Sequence, residues 1–372
     1  MKKTICFLTN AAADWGGASR VVYTTLELID RTRFEPVVLL PSLGAIVPRL
    51  ERLNIRYVDW GETREAKGLL THARDVLAAA WLLRKHRVDL LDVNVHFWRP
   101  AEFLAARLLG IPIVTHYHAV VPDCGPYMRL STVIAPVSEF SARNSGPPGV
   151  PKVVIPNSMI LSRFDAAKDV RAAVGLSREH VVFSFIGQVR EIKGVDLFIK
   201  MARALQGDHL RFLIVGECRD PAKFTGAYTE ERLKSEIGGD PRFLCLGYRS
   251  DIEDIYRSSD VIVAPSRWGE PFALVNLEAG AAGRPLLAAL DGGTPEAIAD
   301  GENGFLFERE DLDALIRHAS LLAGDRGLRE RLGARARAIV EERYTTAPVR
   351  KLERLYEALI DRTFRPDEVL AG

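Results

Sequence analysis

The chain has 372 residues, 47% of them hydrophobic and 27% charged, with 50 basic against 49 acidic side chains and a formal net charge of +1. That length exceeds one comfortable core and suits two domains, and the composition excludes disordered and fibrous classes. Balanced charge gives no global field to hold nucleic acid, so any anion site must be local.

The opening "MKKTICFLTNAAADWGG" has an apolar run too short for a signal peptide's core, and it ends in a glycine turn. It reads as a first strand. Four cysteines, Cys6, Cys124, Cys218 and Cys245, stand far apart without C-x-x-C spacing. Neither a disulfide framework nor a zinc site is expected, and a reducing, cytoplasmic compartment fits. No apolar run approaches the roughly 20 residues that cross a bilayer.

Strands are predicted at "TICFLT", "EPVVLL", "DLLDVNV", "IPIVTHYH" and "TVIAPV", separated by helical patterns. Such alternation implies parallel strands with crossover helices. Between them "GLLTHARDVLAAAWLLRKHR", residues 68 to 87, repeats apolar residues at three and four with basic residues on the remaining face. It reads as a packed surface helix, with peripheral contact at the inner face of a membrane as the alternative.

Proline and glycine crowd residues 146 to 165, and strand-to-helix alternation then restarts with "HVVFSFIG", "LRFLIVGE", "RFLCLGY", "DVIVAPS", "RPLLAAL" and "NGFLF". The expected architecture is α/β, with two doubly wound Rossmann-like domains facing a central cleft. Residues 1–160 form the first and 161–345 the second, while a last helix, about 346–372, packs back on the first. Open parallel sheets bind ligands beyond the carboxyl ends of their strands.

At those ends, Gly16 and Gly17 lie between a strand and a helix, where backbone N–H groups can approach a phosphate. The plainer reading is a tight connection. Gly187 and Gly194 bracket a loop carrying Arg190 and Lys193, two cations suited to a diphosphate or simply solvated. Then comes "EPFALVNLE", with Glu270 and Glu278 fencing an apolar run. In a continuous helix the two would stand about 80° and about 12 Å apart, too far for one atom to bind both. Pro271 suits a first helical turn, which leaves Glu270 on the entering loop and Glu278 about two turns in. The N–H groups of Phe272, Ala273, Leu274 and Val275 then offer a phosphate seat, and the two carboxylates accept from neutral hydroxyls. A nucleotide sugar has that chemistry.

Residues 247 to 307, "GYRSDIEDIYRSSDVIVAPSRWGEPFALVNLEAGAAGRPLLAALDGGTPEAIADGENGFLF", resemble the Glu-x7-Glu block and following Gly-Gly-x-Pro-Glu of the GT-B-fold retaining glycosyltransferases of family 4, the "group 1" family. The resemblance implies that Glu278 binds the ribose, Glu270 the donor sugar and the 272 to 275 amides the diphosphate. It puts Lys193 at the phosphate-binding lysine and Gln188 where arginine is usual, with Arg190 as a substitute cation. It matches Gly16 and Gly17 to the amino-terminal glycine loop and His118 to the histidine that follows a proline-led strand. Glu270, His118 and Lys193 are thus the catalytic candidates. Ala273 and Asn157-Ser158 depart from the commoner glycine and Asn-Gly without removing a side-chain role.

Glu217 and Tyr248 at later strand ends are expected to bracket the base of a UDP- or GDP-sugar. Trp15 and Trp98, with Asp14 and the stretches 96 to 99 and 117 to 123, are candidates for a glycosyl acceptor. His116 and His118 would share one strand face, but no third metal ligand accompanies them. No D-x-D lies at a strand end, and "DLD" at 311 to 313 reads as a helix start. Catalysis without metal or cofactor is therefore expected. Charge building on the departing phosphate would be met by Lys193, Arg190 and the amides, and the family resemblance implies retention by attack on the face the phosphate leaves. The alternatives are a nucleotide-sugar epimerase or hydrolase, and a binding protein without turnover.

Overall fold

The computed structural model describes residues 2–9, 16–61, 68–94, 100–120 and 125–365. The chain divides into two units, Met1–Ser158 with Thr346–Gly372, and Met159–Thr345.

The first unit is built on a parallel sheet of β1 (Lys3–Thr9), β2 (Phe34–Leu40), β3 (Arg56–Asp59), β4 (Leu90–Asn94), β5 (Ile113–Tyr117) and β6 (Val133–Pro136), in the order β3-β2-β1-β4-β5-β6. Strand β3 has no counterpart among the expected strands. It is a four-residue edge strand with both end residues exposed, so it has no buried run to announce it. Side chains alternate across the other strands. Ile5 and Phe7 pack with Val22 and Leu26 of the helix Gly17–Leu28 and with Leu352, Leu355 and Tyr356 of the C-terminal helix Ala347–Ile360. On the opposite face Cys6 and Leu8 meet Leu82 and Leu83 of the helix Leu69–Lys85 and Phe103 of Pro100–Leu108.

The second unit repeats the topology with β7 (Val181–Ile186), β8 (Leu210–Val215), β9 (Phe243–Gly247), β10 (Val261–Ala264), β11 (Leu286–Ala289) and β12 (Gly304–Phe307), ordered β12-β11-β10-β7-β8-β9. All six were expected. Phe183, Phe212, Val261 and Leu287 pack against Phe198 and Met201 of the helix Val195–Ala204 and Leu315 of Leu312–Gly324. In both sheets the order reverses beside the first strand. Sheets of this order bind ligands beyond the strand ends at that point, next to β1 and β4 in one unit and β7 and β10 in the other.

Candidate active site

In the second unit the segments leaving β7 and β10 converge at the switch point. After β7 the chain turns through Glu191–Lys193 into Gly194, which takes φ +76°. A Cβ there would lie 1.9 Å from the Pro265 carbonyl oxygen, so only glycine lets this turn rest on the exit of β10. That approach brings the Lys193 ammonium onto the Glu270 carboxylate as an ion pair, with side chains 30% and 15% exposed. The Ser266 hydroxyl donates to the same carboxylate oxygen at 3.2 Å.

Arg267 fastens the two segments together. Its backbone N–H donates to the Ile192 carbonyl at 2.9 Å. Its guanidinium donates to the Glu191 carbonyl at 2.7 Å, to the two Asp196 oxygens at 2.5 and 2.8 Å, and to Glu310. Burial alone would raise the Asp196 carboxyl, but the hydrogen bonds and charge of Arg267 outweigh it and hold the group below the usual carboxylate range. The Asp196 bonds in turn push the Arg267 guanidinium upward.

The glutamate block differs from expectation at its helix start. The helix spans Leu274–Ala281, with Ala273 as an extended N-cap at ψ 130°, so Pro271 lies outside it and Glu278 is the fifth residue, little more than one turn in. The cause is anchoring of the preceding chain. The Glu270 carbonyl accepts from Gly293 N–H at 2.8 Å, and Phe272 is buried with its ring 5.6 Å from that of Tyr344. Gly292, at φ +61°, permits this contact, because a Cβ there would lie 2.2 Å from the same carbonyl oxygen. The first N–H groups of the helix accordingly belong to Ala273, Leu274 and Val275, and Phe272 is not among them. Glu278 is 3% exposed and accepts from the Tyr256 hydroxyl at 2.7 Å.

The remaining donor-side candidates sit at neighbouring strand ends. Gln188 is exposed, and its oxygen accepts from Arg190 at 3.3 Å. Arg190 also donates to the Thr225 carbonyl at 2.8 Å, which turns its guanidinium toward that loop. Glu217, beyond β8, is paired with Arg219 at 3.0 Å, and Tyr248, beyond β9, is 66% exposed. Asp311 caps the helix Leu312–Gly324, accepting from Ala314 N–H at 2.8 Å.

In the first unit Gly16 is the N-cap of the helix Gly17–Leu28 at φ −78°, a backbone angle open to any residue. Asp14, Trp15, Trp98 and Cys124 lie outside the described residues. His116 and His118 share a face as expected, their rings stacked at 5.9 Å. His116 Nε2 meets Asp92 at 2.9 Å, and His118 Nε2 meets the Asn94 amide oxygen at 2.9 Å. These side chains line a cavity of about 20 Å³, together with Thr25 and Ser158.

Sequence reasoning missed Ser266, Arg267, Asp196, Tyr256, Asp92 and Asn94. Asp92 and Asn94 left a trace, two polar residues at alternate positions of a strand otherwise apolar. The others gave no signal, because their partners lie 22 to 76 residues away or, for Ser266, on a loop of unreadable shape.

Comparison with known proteins gives a glycosyltransferase family model for each half. Residues 167–339 match the family model described as glycosyl transferases group 1, and residues 15–162 match glycosyltransferase family 4. A D-inositol 3-phosphate glycosyltransferase of Kribbella flavida is 31% identical over 337 residues, covering 80% of this chain and 78% of that protein. One of Mycolicibacterium smegmatis is 35% identical over 144 residues, 38% of this chain and 32% of that protein. Among solved structures, a glycosyltransferase of Rickettsia africae superposes with a TM-score of 0.83 at 19% identity, covering 96% of this chain and 99% of that one. HepE of Anabaena, in complex with UDP, gives 0.78 at 21% identity with the same coverage.

Proposed function

The chain belongs to the group 1 glycosyltransferases and has their GT-B fold, and from that premise we propose a retaining, metal-independent hexosyltransferase that uses a UDP- or GDP-sugar and a hydroxyl acceptor. The observation that carries this reading is the Lys193–Glu270 pair at the switch point of the second unit, buttressed by Ser266 and Arg267. A cation and a carboxylate side by side match a sugar phosphate, one ligand half anionic and the other a set of neutral hydroxyls.

On this reading Lys193 holds the phosphate that leaves, with Arg190 and the Ala273 to Val275 amides beside it. The bond from the anomeric carbon to the phosphate oxygen breaks with its electron pair passing to the phosphate, where Lys193 opposes the growing charge. The acceptor oxygen bonds to the same face, and its proton passes to the departing phosphate. Glu270 receives donor-sugar hydroxyls, Glu278 the ribose hydroxyls, and Glu217 with Tyr248 flank the base. Gly16 and Gly17 keep the donor-side role, and His118 the catalytic role, that the family resemblance implies.

UDP in the HepE complex puts uridine donors first, and the names of the relatives put D-inositol 3-phosphate on an acceptor panel with saccharides, lipid-linked saccharides and small natural products. A cytoplasmic location, with peripheral contact to an anionic bilayer through Leu69–Lys85, belongs to the same reading.

The test is a panel of UDP-, GDP- and ADP-sugars against those acceptors, with and without a chelator, and with the anomeric configuration of product read by NMR. Retained configuration and chelator-insensitive turnover are expected. Lys193→Met should lower kcat/KM by about 10²–10³, and Glu278→Gln should raise the donor KM about tenfold. Sugar conversion without acceptor points instead to an epimerase or hydrolase, and binding without turnover to a silent receptor. Inverted product would sink the retaining mechanism, and an unchanged donor KM in Glu278→Gln the ribose assignment.

A further inference from the structure

Among the described residues, the non-glycines with positive φ are Asn54, Arg87, Glu310 and Arg362. Asn54, Arg87 and Arg362 each stand two residues past a helix end, where a left-handed residue closes the last turn. Glu310, at φ +68°, stands instead just before the helix Leu312–Gly324, in the turn that leaves β12. The Asp311 N–H donates to the Glu308 carbonyl at 2.9 Å, so Glu310 is the third residue of a tight turn with φ > 0, a position that suits glycine. A glutamate there strains the backbone, and its contacts show what the strain holds in place.

The Glu310 carboxylate accepts from Arg267 Nε. Asp196 and the Glu191 carbonyl engage the two terminal nitrogens of the same guanidinium, and the Arg267 backbone N–H holds Ile192, next to Lys193. The preceding residue of the turn, Arg309, lies with its guanidinium 2.5 Å from the Asp291 carboxylate. Asp291 accepts from the Gly292 N–H at 2.8 Å, and the next N–H, of Gly293, donates to the Glu270 carbonyl at 2.8 Å. Two consecutive side chains thus reach two segments, one behind Lys193 and one behind Glu270.

We infer that the turn Glu308–Asp311 braces the donor site and that Arg309 and Glu310 are positioning residues. Glu310 sets the Lys193 turn through Arg267, and Arg309 sets Glu270 through Asp291, Gly292 and Gly293. The inference rests on the transferase reading only in making that site the donor's. With side chains 22% and 53% exposed, the Arg267–Glu310 pair adds too little stability to offset the left-handed backbone. Its use lies in placement, as strain kept at a working site does.

The test is hydrogen exchange at single-amide resolution on the full-length protein without ligand, read beside Tm and kinetics. Glu310→Gly removes the strain and the Arg267 bond together. Its Tm should be no lower than wild type, while exchange quickens at Lys193, Gly194 and Arg267 and kcat/KM falls about tenfold on whichever sugar nucleotide the donor panel selects. A Tm below wild type, or unchanged exchange at those amides, overturns the inference. Glu310→Gln keeps an acceptor oxygen in the same strained turn and should restore both exchange and kcat/KM, and failure to restore them overturns the hydrogen-bonded brace. Arg309→Met should instead quicken Gly293 and leave Lys193 and Gly194 protected. One shared pattern of quickening in Glu310→Gly and Arg309→Met would mean general loosening and also overturns it. If no donor turns over, the transferase reading fails while the exchange pattern still decides the brace.

Discussion

Gly292 shows how much of the site depends on a residue with no functional group. It combines a left-handed backbone, φ +61°, with a carbonyl oxygen 2.2 Å from where a Cβ would sit. Those two costs can be separated, because Gly301 has φ +75° and nothing within 4 Å of its virtual Cβ. Gly301→Ala should cost only the backbone strain, about 1–2 kcal/mol, with transfer kinetics unchanged. Gly292→Ala must also push the Glu270 carbonyl away, so it should raise donor KM and lower kcat beyond what its loss of Tm explains. Equal kinetics in the two variants would remove Gly292 from the support of Glu270. At this scale the sequence was legible where chemistry and spacing coincide: Lys193, Glu270 and Glu278 stand out by type and interval. It was silent on Tyr256 beneath Glu278 and on Arg267 beneath the lysine turn, since contacts between residues remote in the chain exist only once the sheet is built.

Elements carry the next level of constraint, and the Arg267–Asp196 clamp ties one to another. Asp196 sits in the first turn of the helix Val195–Ala204, and Arg267 follows β10, so the pair holds the lysine turn between them. The Asp196 pKa is depressed in the fold, so its stabilisation is present above the unfolded value of about 3.9 and lost as the pH falls through the lower folded value. Asp196→Asn should therefore destabilise the second unit by about 1.5–3 kcal/mol near neutrality, and its deficit relative to wild type should shrink below about pH 4. A deficit constant from pH 7 to pH 3 would contradict a charge-based clamp. The helix Leu69–Lys85 is a different case. Its core side was legible from the three-and-four repeat, but its outer side is not simply basic. Leu70, Leu77 and Trp81 are 88%, 71% and 60% exposed. At 100° per residue they fall within about 40° of one another. Exposed Arg74, Arg84 and Lys85 flank that stripe, with the Lys85 ammonium 4.7 Å from the Trp81 ring centroid. An apolar stripe edged by cations is the pattern of a helix lying in a lipid interface. Sedimentation with phosphatidylserine-containing vesicles should recover the wild-type chain, and Leu77→Glu with Trp81→Glu should abolish it without changing turnover of a soluble acceptor. Equal recovery on neutral vesicles would argue against the charge contribution. The sequence misplaced the start of Leu274–Ala281 for a related reason: proline at a first turn is a local preference, and burial of Phe272 against Tyr344 overrides it.

For the whole molecule, the alternation of strands and helices was enough to read two doubly wound sheets, because buried parallel strands appear as short apolar runs whatever surrounds them. The order of strands within each sheet was not readable, since pairing depends on crossovers that leave no local mark. That order now shows the same reversal in both units, and it explains why Lys193 and Glu270 meet beyond β7 and β10 in the second. The first unit is also discontinuous: residues 346–372 return to it after the whole second unit has been made. Leu352, Leu355 and Tyr356 complete the core that Ile5, Phe7, Leu90 and Val114 begin, and Leu355 is fully buried. The first sheet therefore cannot bury one face until Ala347–Ile360 has been made, whereas the second unit has its full sequence earlier. Leu355→Ala should cost about 2–5 kcal/mol and should act on one unit. Hydrogen exchange is expected to quicken in β1, β4 and β5 while β7, β8 and β10 keep their protection. Uniform loss of protection across both sheets would mean that the two units unfold as one cooperative block, and the C-terminal helix would then be a fastening for the entire chain.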